Sequence, residues 1–126
     1  MKALLFPGQG VQKVGMLDKL LAENSEVKNT IEDISRSLNF DLLELLIDGP
    51  EDKINLTEYS QPSILISSVL IAKYSNSIPD IEITAGLSLG EYSALVYSGC
   101  LQLTDAVRLV NHRGRLMQEA VPEGSA

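Results

Sequence analysis

One stretch, Ile81 to Ser98, constrains the fold of this chain more than any other. It opens with an alternating β-branched run, Ile81-Glu82-Ile83-Thr84-Ala85, which has the pattern of a strand. It turns through Gly86-Leu87-Ser88-Leu89-Gly90 and resumes with helical apolar spacing at Leu89, Tyr92, Leu95 and Val96. Strand, G-x-S-x-G, helix is the layout of a nucleophile elbow, in which a sharp turn lifts a serine hydroxyl clear of the sheet. By chance about one chain in twenty of this length would carry the five-residue pattern at ordinary glycine usage. Its weight therefore comes from its placement between a strand and a helix. The flanking glycines are expected where a Cβ would strike the neighbouring strand and helix. Ser88 would also sit at a helix N-terminus, where the helix dipole favours a developing anion. The expectation is that Ser88 is an acyl-accepting nucleophile.

The rest of the composition narrows the surroundings of that turn. A length of 126 residues supports one domain, and 44% hydrophobic content is ordinary for a soluble globular chain. A net charge of −7 with no basic cluster argues against nucleic acid or an anionic membrane as partner. No apolar run approaches the roughly 20 residues that a membrane-spanning helix needs. The start, Met1-Lys2-Ala3-Leu4-Leu5-Phe6, resembles a signal peptide only until Pro7-Gly8-Gln9-Gly10 interrupts it. A single cysteine allows no internal disulfide and fits a reducing cytoplasm. Cys100 itself reads as a small buried apolar residue.

In chain order, Lys2 to Phe6 reads as a first strand buried on both faces, because it barely alternates. It runs into Pro7-Gly8-Gln9-Gly10, a loop able to bring backbone amides close to a ligand, or simply a strand-to-helix turn. Helices are expected over Met16–Glu23, over about Val27–Leu38 with Asn24 or Ser25 as cap, and through Leu46 with Asp41 as cap. The last is stopped at Asp48-Gly49-Pro50. Pro62 is expected to open a longer helix to about Tyr74, with Ser60 or Gln61 as N-cap, and apolar enough around its circumference to be buried. The elbow helix should end at Gly99, and Thr104 should cap a last helix from Asp105 to about Ala120. Residues 75–80 and 121–126 read as connector and loop. Glu91 and Asp105 at helix starts are explained by the helix dipole.

This order points to an α/β domain around a parallel sheet. Only two strands are visible, and two parallel strands do not normally stand alone, so further strands are expected beyond Ala126.

Taken together, four ordered segments resemble the malonyl-CoA:acyl carrier protein transacylases of bacterial fatty acid synthesis. They are Phe6-Pro7-Gly8-Gln9-Gly10-Val11-Gln12-Lys13-Val14-Gly15-Met16, Gln61-Pro62, Gly86 to Leu95, and Asp105 to Gly114 followed by Met117-Gln118-Glu119-Ala120-Val121-Pro122. The resemblance covers nearly the whole chain. It implies part of a three-layer, hydrolase-like α/β domain, residues 1–126 forming the N-terminal part of the large acyltransferase domain. A ferredoxin-like small subdomain and the remaining strands would lie outside this chain.

The resemblance further implies that Ser88 takes a malonyl group from malonyl-CoA and passes it to the phosphopantetheine thiol of acyl carrier protein. The oxyanion hole would be the backbone amides of Gln9 and Leu89. Arg113 would hold the free malonyl carboxylate, a task suited to a planar two-donor guanidinium. Read from the residues alone, Arg113 is better explained by binding helix-end carbonyls or a surface carboxylate, and Arg115 reads as solvated. The resemblance implies no metal and no resident cofactor, malonyl-CoA being substrate and phosphopantetheine being carried by the partner. It also implies a cytoplasmic monomer at full length.

Two departures stand out. Leu87 occupies a position that is commonly His in the family. The family's catalytic histidine also lies beyond the matched region, and the only histidine here, His112, matches no catalytic position. The base is thus expected outside this chain, with these 126 residues inactive alone. Alternative readings are a trans-acting acyltransferase of polyketide synthesis, a serine hydrolase using water as acceptor, and a non-catalytic truncated fragment. The start of the first strand at Met1 argues against an internal synthase domain.

Overall fold

The computed structural model of the chain describes residues 1–75, 78 and 80–121. Residues 76, 77 and 79 of the connector expected over 75–80, and the loop from Pro122 to Ala126, lie outside the described residues. Two strands, β1 (Ala3–Phe6) and β2 (Ile83–Gly86), pair in parallel with Ala3 opposite Ile83 and Phe6 opposite Gly86. Between them run α1 (Asp18–Glu23), α2 (Ser25–Ser35), α3 (Leu42–Asp48), α4 (Glu51–Ile54) and α5 (Thr57–Tyr74). After β2 come α6 (Gly90–Tyr97) and α7 (Leu103–Ala120). The α/β class and the short parallel sheet are as expected.

The first strand corrects one expectation. Leu4 and Phe6 face inward and pack with Ala72 of α5 and Ala94 and Tyr97 of α6. Ala3 and Leu5 point the other way and are exposed, Leu5 by 73%, as are Ile83 and Ala85 beside them. The continuous apolar run thus reflects two apolar faces, only one of which is covered among the described residues. Side chains alternate across a strand, so helices on one side can bury only half of them.

The main core lies among the helices. Val27, Ile31 and Ile34 of α2, Leu42, Leu45 and Leu46 of α3, Ile64, Leu65 and Leu70 of α5, and Ala106, Val107 and Val110 of α7 are essentially buried and contiguous. At roughly 1.5–3 kcal/mol per buried aliphatic side chain, this cluster supplies most of the folding drive. Helix α5 is central to it: it packs on both α6 and α7, and is buried around most of its circumference, as its composition predicts.

Helix starts are where the sequence reading slips. Asp41 caps α3 as expected, its Oδ1 accepting from the Glu44 N–H at 3.0 Å. By contrast α2 follows Asn24 with no side-chain cap, and α7 starts at Leu103 with Gln102, not Thr104, as its cap residue. The first turn expected for α1 is irregular, leaving Leu17 buried ahead of the helix. The short α4 was not expected from the periodicity.

The largest slip concerns α5, which begins at Thr57, so that Pro62 lies inside the helix and not at its first position. Proline cannot donate the bond that the Glu58 carbonyl would receive. Asn111 Nδ2 of α7 donates to that carbonyl instead, at 3.0 Å. A tertiary donor therefore lets the helix extend one turn further back than the local sequence suggests. Cys100 is a second correction. It falls in the turn after α6 with its thiol exposed, where Sγ accepts from Ser98 Oγ at 3.5 Å.

Candidate active site

The elbow forms as the motif requires. β2 ends at Gly86, α6 begins at Gly90, and Ser88 between them has a φ of +52°, in the left-handed region that non-glycine residues rarely adopt. Holding Ser88 there costs about 1–2 kcal/mol. The Gly90 N–H donates to the Leu87 carbonyl at 2.8 Å and the Glu91 N–H to the Ser88 carbonyl at 3.1 Å, which ties the turn to the first turn of α6.

Both flanking glycines are steric necessities. A Cβ on Gly86 would overlap the Gly90 carbonyl group, and one on Gly90 would overlap the Phe6 carbonyl oxygen of β1. The two strands and α6 meet too closely for any larger residue. Of the apolar positions expected along α6, Leu89 is fully buried and Tyr92 and Val96 pack on the core, but Leu95 is 44% exposed. The inward face is carried by the small residues Gly90, Ser93 and Ala94 instead.

The first loop lies against this turn: a Cβ on Gly8 would stand 2.9 Å from the Leu87 carbonyl oxygen and 3.8 Å from Ser88 Cβ. Helix α4 and its flanks hold the loop there. Gln12 Nε2 donates to Asn55 Oδ1 at 3.1 Å, and the Val14 N–H donates to Glu51 Oε2 at 3.2 Å. Next to Gly8, the Gln9 side chain donates from Nε2 to Thr57 Oγ1 at 3.2 Å. Neither the Gln9 nor the Leu89 backbone N–H has an acceptor among the described residues.

Arg113 reaches the same place from α7. Its Nη2 donates to Ser88 Oγ at 3.1 Å, its Nη1 donates to Gln61 Oε1 at 2.5 Å, and its Cζ lies 5.4 Å from the Tyr92 ring centroid. The guanidinium is thereby aimed at the serine and not at helix-end carbonyls or a surface carboxylate. Gln61 in turn donates from Nε2 to Gln9 Oε1 at 3.3 Å. The structure thus brings together Ser88, Arg113 and Gln9, with Leu89 directly after the serine.

Sequence reasoning missed Gln61 as a functional position. Its signal was available: a glutamine in a helix apolar nearly all round is a buried amide that must find partners. Gln61 is 1% exposed. Tyr92, read as a helix-face residue, additionally lies under the guanidinium.

The remaining polar positions lie elsewhere. His112, one residue before Arg113, is exposed and lines a groove with Ser37, Asn39, Arg108 and Arg115, on another side of α7. Successive helical residues diverge by about 100°, so both cannot face the serine. Arg115 approaches Glu58 only at 3.9 Å. Leu87 is 75% exposed beside the serine. Among the described residues, no group of three or more His, Cys, Asp and Glu could hold a metal ion, and no helix is long and apolar enough to cross a membrane.

Comparison with known proteins bears on what this arrangement does. A family model described as "Acyl transferase domain" matches residues 3–126. The malonyl CoA-acyl carrier protein transacylase of Haemophilus influenzae is 47% identical over 126 residues, covering 98% of this chain and 40% of the relative. That of Staphylococcus aureus is 44% identical over 123 residues, covering 97% and 39%. Among solved structures, the transacylase from Coxiella burnetii superposes with a TM-score of 0.88 at 42% identity, over 95% of this chain and 39% of that one. A malonyl-transacylase solved in complex with its type II PKS acyl-carrier protein gives 0.87 at 45%, over 97% and 40%. The chain spans about 40% of the length of the curated relatives it matches. With an elbow serine, a first loop and an arginine converging on one point, and a family match running almost end to end, this chain belongs to the acyl transferase domain family.

Proposed function

We propose that these residues form the N-terminal part of the large domain of a malonyl-CoA:acyl carrier protein transacylase acting in fatty acid synthesis. The observation that carries the reading is the 3.1 Å contact between Arg113 Nη2 and Ser88 Oγ, with Nη1 fixed on Gln61. A guanidinium at the nucleophile suits an acyl group that ends in a carboxylate. It has no such use for a plain ester or an acetyl thioester, which offer no carboxylate to its parallel donors.

In this reading Ser88 Oγ attacks the thioester carbonyl of malonyl-CoA, and its proton passes to a base supplied from outside this chain. The oxyanion forms against the free N–H groups of Gln9 and Leu89, donors worth about 10²–10³ in rate each. Collapse of that intermediate expels the CoA thiol and leaves malonyl-Ser88, with the malonate carboxylate held by Arg113. The phosphopantetheine thiol of acyl carrier protein then attacks the ester carbonyl, and the serine is restored. Malonyl-CoA and the carrier protein are thus the partners, and the chain's own residues require no metal or resident cofactor. The work is that of a cytoplasmic enzyme, monomeric at full length.

His112 does not serve as base, since it lies in its own groove, and the one hydrogen-bond partner of Ser88 Oγ among the described residues is Arg113. These 126 residues alone therefore turn over negligibly; losing one member of a nucleophile–base pair costs as much as about 10⁶ in rate.

The test is made in a full-length transacylase carrying these residues, fed malonyl-CoA and holo acyl carrier protein. Ser88→Ala should abolish the malonyl-enzyme mass adduct, and Arg113→Ala should cut malonyl transfer while raising the relative rate with acetyl-CoA. Retained activity in Ser88→Ala, or unchanged selectivity in Arg113→Ala, would overturn the reading. A second reading, transfer to a polyketide carrier protein, is supported by the relative solved with its type II PKS acyl-carrier protein. Rates measured with carrier proteins of the two kinds separate them.

A further inference from the structure

We infer that Gln61 is a positioning residue that sets the guanidinium of Arg113 and, through the same amide, the first loop at Gln9. The inference deepens the reading of Arg113 as the carboxylate holder and rests on it.

Gln61 is almost wholly buried in α5, and among the described residues its amide bonds Arg113 and Gln9. Its amide spans two elements. Oε1 accepts from Arg113 Nη1 at 2.5 Å, and Nε2 donates to Gln9 Oε1 at 3.3 Å. Gln9 passes the sequence on, its Nε2 donating to Thr57 Oγ1 at 3.2 Å. Arginine has only donors, so the Gln61 group facing it must be the oxygen. That choice sends Nε2 towards Gln9, which must then present its own oxygen and turn its Nε2 to Thr57. The charge on Arg113 therefore dictates every amide orientation back to the loop whose Gln9 backbone N–H is free.

Packing keeps Gln61 in register. A Cβ on Gly114, the residue after Arg113, would stand 2.5 Å from the Thr57 carbonyl oxygen and 3.0 Å from Gln61 Cγ. Asn111 adds its bond to the Glu58 carbonyl, and Gln118 Oε1 accepts from the Glu58 N–H at 3.2 Å. Helices α5 and α7 are thus locked together where Gln61 meets Arg113.

Two substitutions test this in a full-length transacylase carrying these residues. Gln61→Glu keeps the shape but puts a carboxylate against Arg113 in competition with the malonyl carboxylate, and removes the donor to Gln9. Its kcat/KM with malonyl-CoA should fall on the order of 10²-fold, the scale of a misplaced reacting group, with a raised KM. Activity with acetyl-CoA should fall far less, so that the malonyl-to-acetyl ratio drops. Gln61→Met fills nearly the same volume without either hydrogen bond, and should lower kcat and the same ratio without the competing charge. A purely structural role would lower both substrates together and leave the ratio unmoved. If Arg113→Ala shifts the ratio while neither Gln61 variant does, the positioning role is wrong and the carboxylate reading stands. If Arg113→Ala itself leaves the ratio unmoved, the carboxylate reading falls and this inference with it. Should Gln61→Glu not fold, the Gln61→Met ratio alone decides.

Discussion

Asn111 on α7 gives the Glu58 carbonyl of α5 the hydrogen bond that Pro62, four residues on, cannot supply, at 3.0 Å. The pair explains how a proline is carried inside a helix at the base of the site. It also sets the crossing of the two helices that deliver Gln61 and Arg113. The interior proline would otherwise cost about 3 kcal/mol or more.

Asn111 is 6% exposed and its bond to Glu58 is part-buried, so Asn111→Ala leaves that carbonyl without its donor, and a loss of about 1–3 kcal/mol is expected in urea unfolding. The cost should shrink by half or more in a Pro62→Ala background, because an alanine N–H there can bond Glu58 within the helix. Equal costs in both backgrounds would show that the two residues are not linked through this carbonyl.

Gly90→Ala drives a methyl into the Phe6 carbonyl of β1. Neither backbone can yield without parting the strand from α6, so a loss of at least about 3 kcal/mol is expected, at the upper end of overpacking costs. Gly99→Ala is the control. It has open space around it and only its φ of +86° to strain it, so it should cost about 1–2 kcal/mol. Thermal unfolding of the two variants side by side checks the order.

Ser88→Gly relieves the left-handed backbone at φ +52°, whereas Ser88→Ala keeps it. The glycine variant is expected to be the more stable of the two by about 1 kcal/mol, net of its greater unfolded-state entropy. Both lose the hydroxyl and hence the acyl adduct. An alanine variant as stable as the glycine variant would show that the turn stores no strain at this residue.

Leu87→His restores the residue common in the family. The side chain is 75% exposed and packs on nothing essential, so stability should change by no more than about 0.5 kcal/mol. An effect on malonyl-Ser88 formation without an effect on unfolding would assign that histidine a part in the chemistry, and no effect on either would make it dispensable.

Much of the candidate site is legible in the sequence. G-x-S-x-G between a strand and a helix announces its own turn, since Gly86 must clear the Gly90 carbonyl within it, whereas Gly90 answers to the Phe6 carbonyl of β1. The buried α5 was legible too, because an apolar circumference has one stable environment. Helix starts were less so: periodicity reports which face is buried, not where the first hydrogen bond closes, and both the onset of α5 and the four-residue α4 fell between those signals. Leu5 misled for a related reason. A run of apolar residues states that both faces of a strand avoid water, but not whether both are covered in the same 126 residues.

The sequence by itself determined the elbow turn and the α/β class and singled out Ser88 as the candidate nucleophile: the turn closes within a few residues, and the class follows from the order of strand and helix patterns along the chain. The tertiary structure decided what Arg113 faces, which of two adjacent residues, His112 or Arg113, meets the serine, and that Gln61 links them to the first loop. Those outcomes depend on how α5 and α7 cross. That crossing is set where Gly114 and Asn111 of α7 meet the Thr57 and Glu58 carbonyls of α5, more than 50 residues earlier in the chain, a meeting no local pattern records.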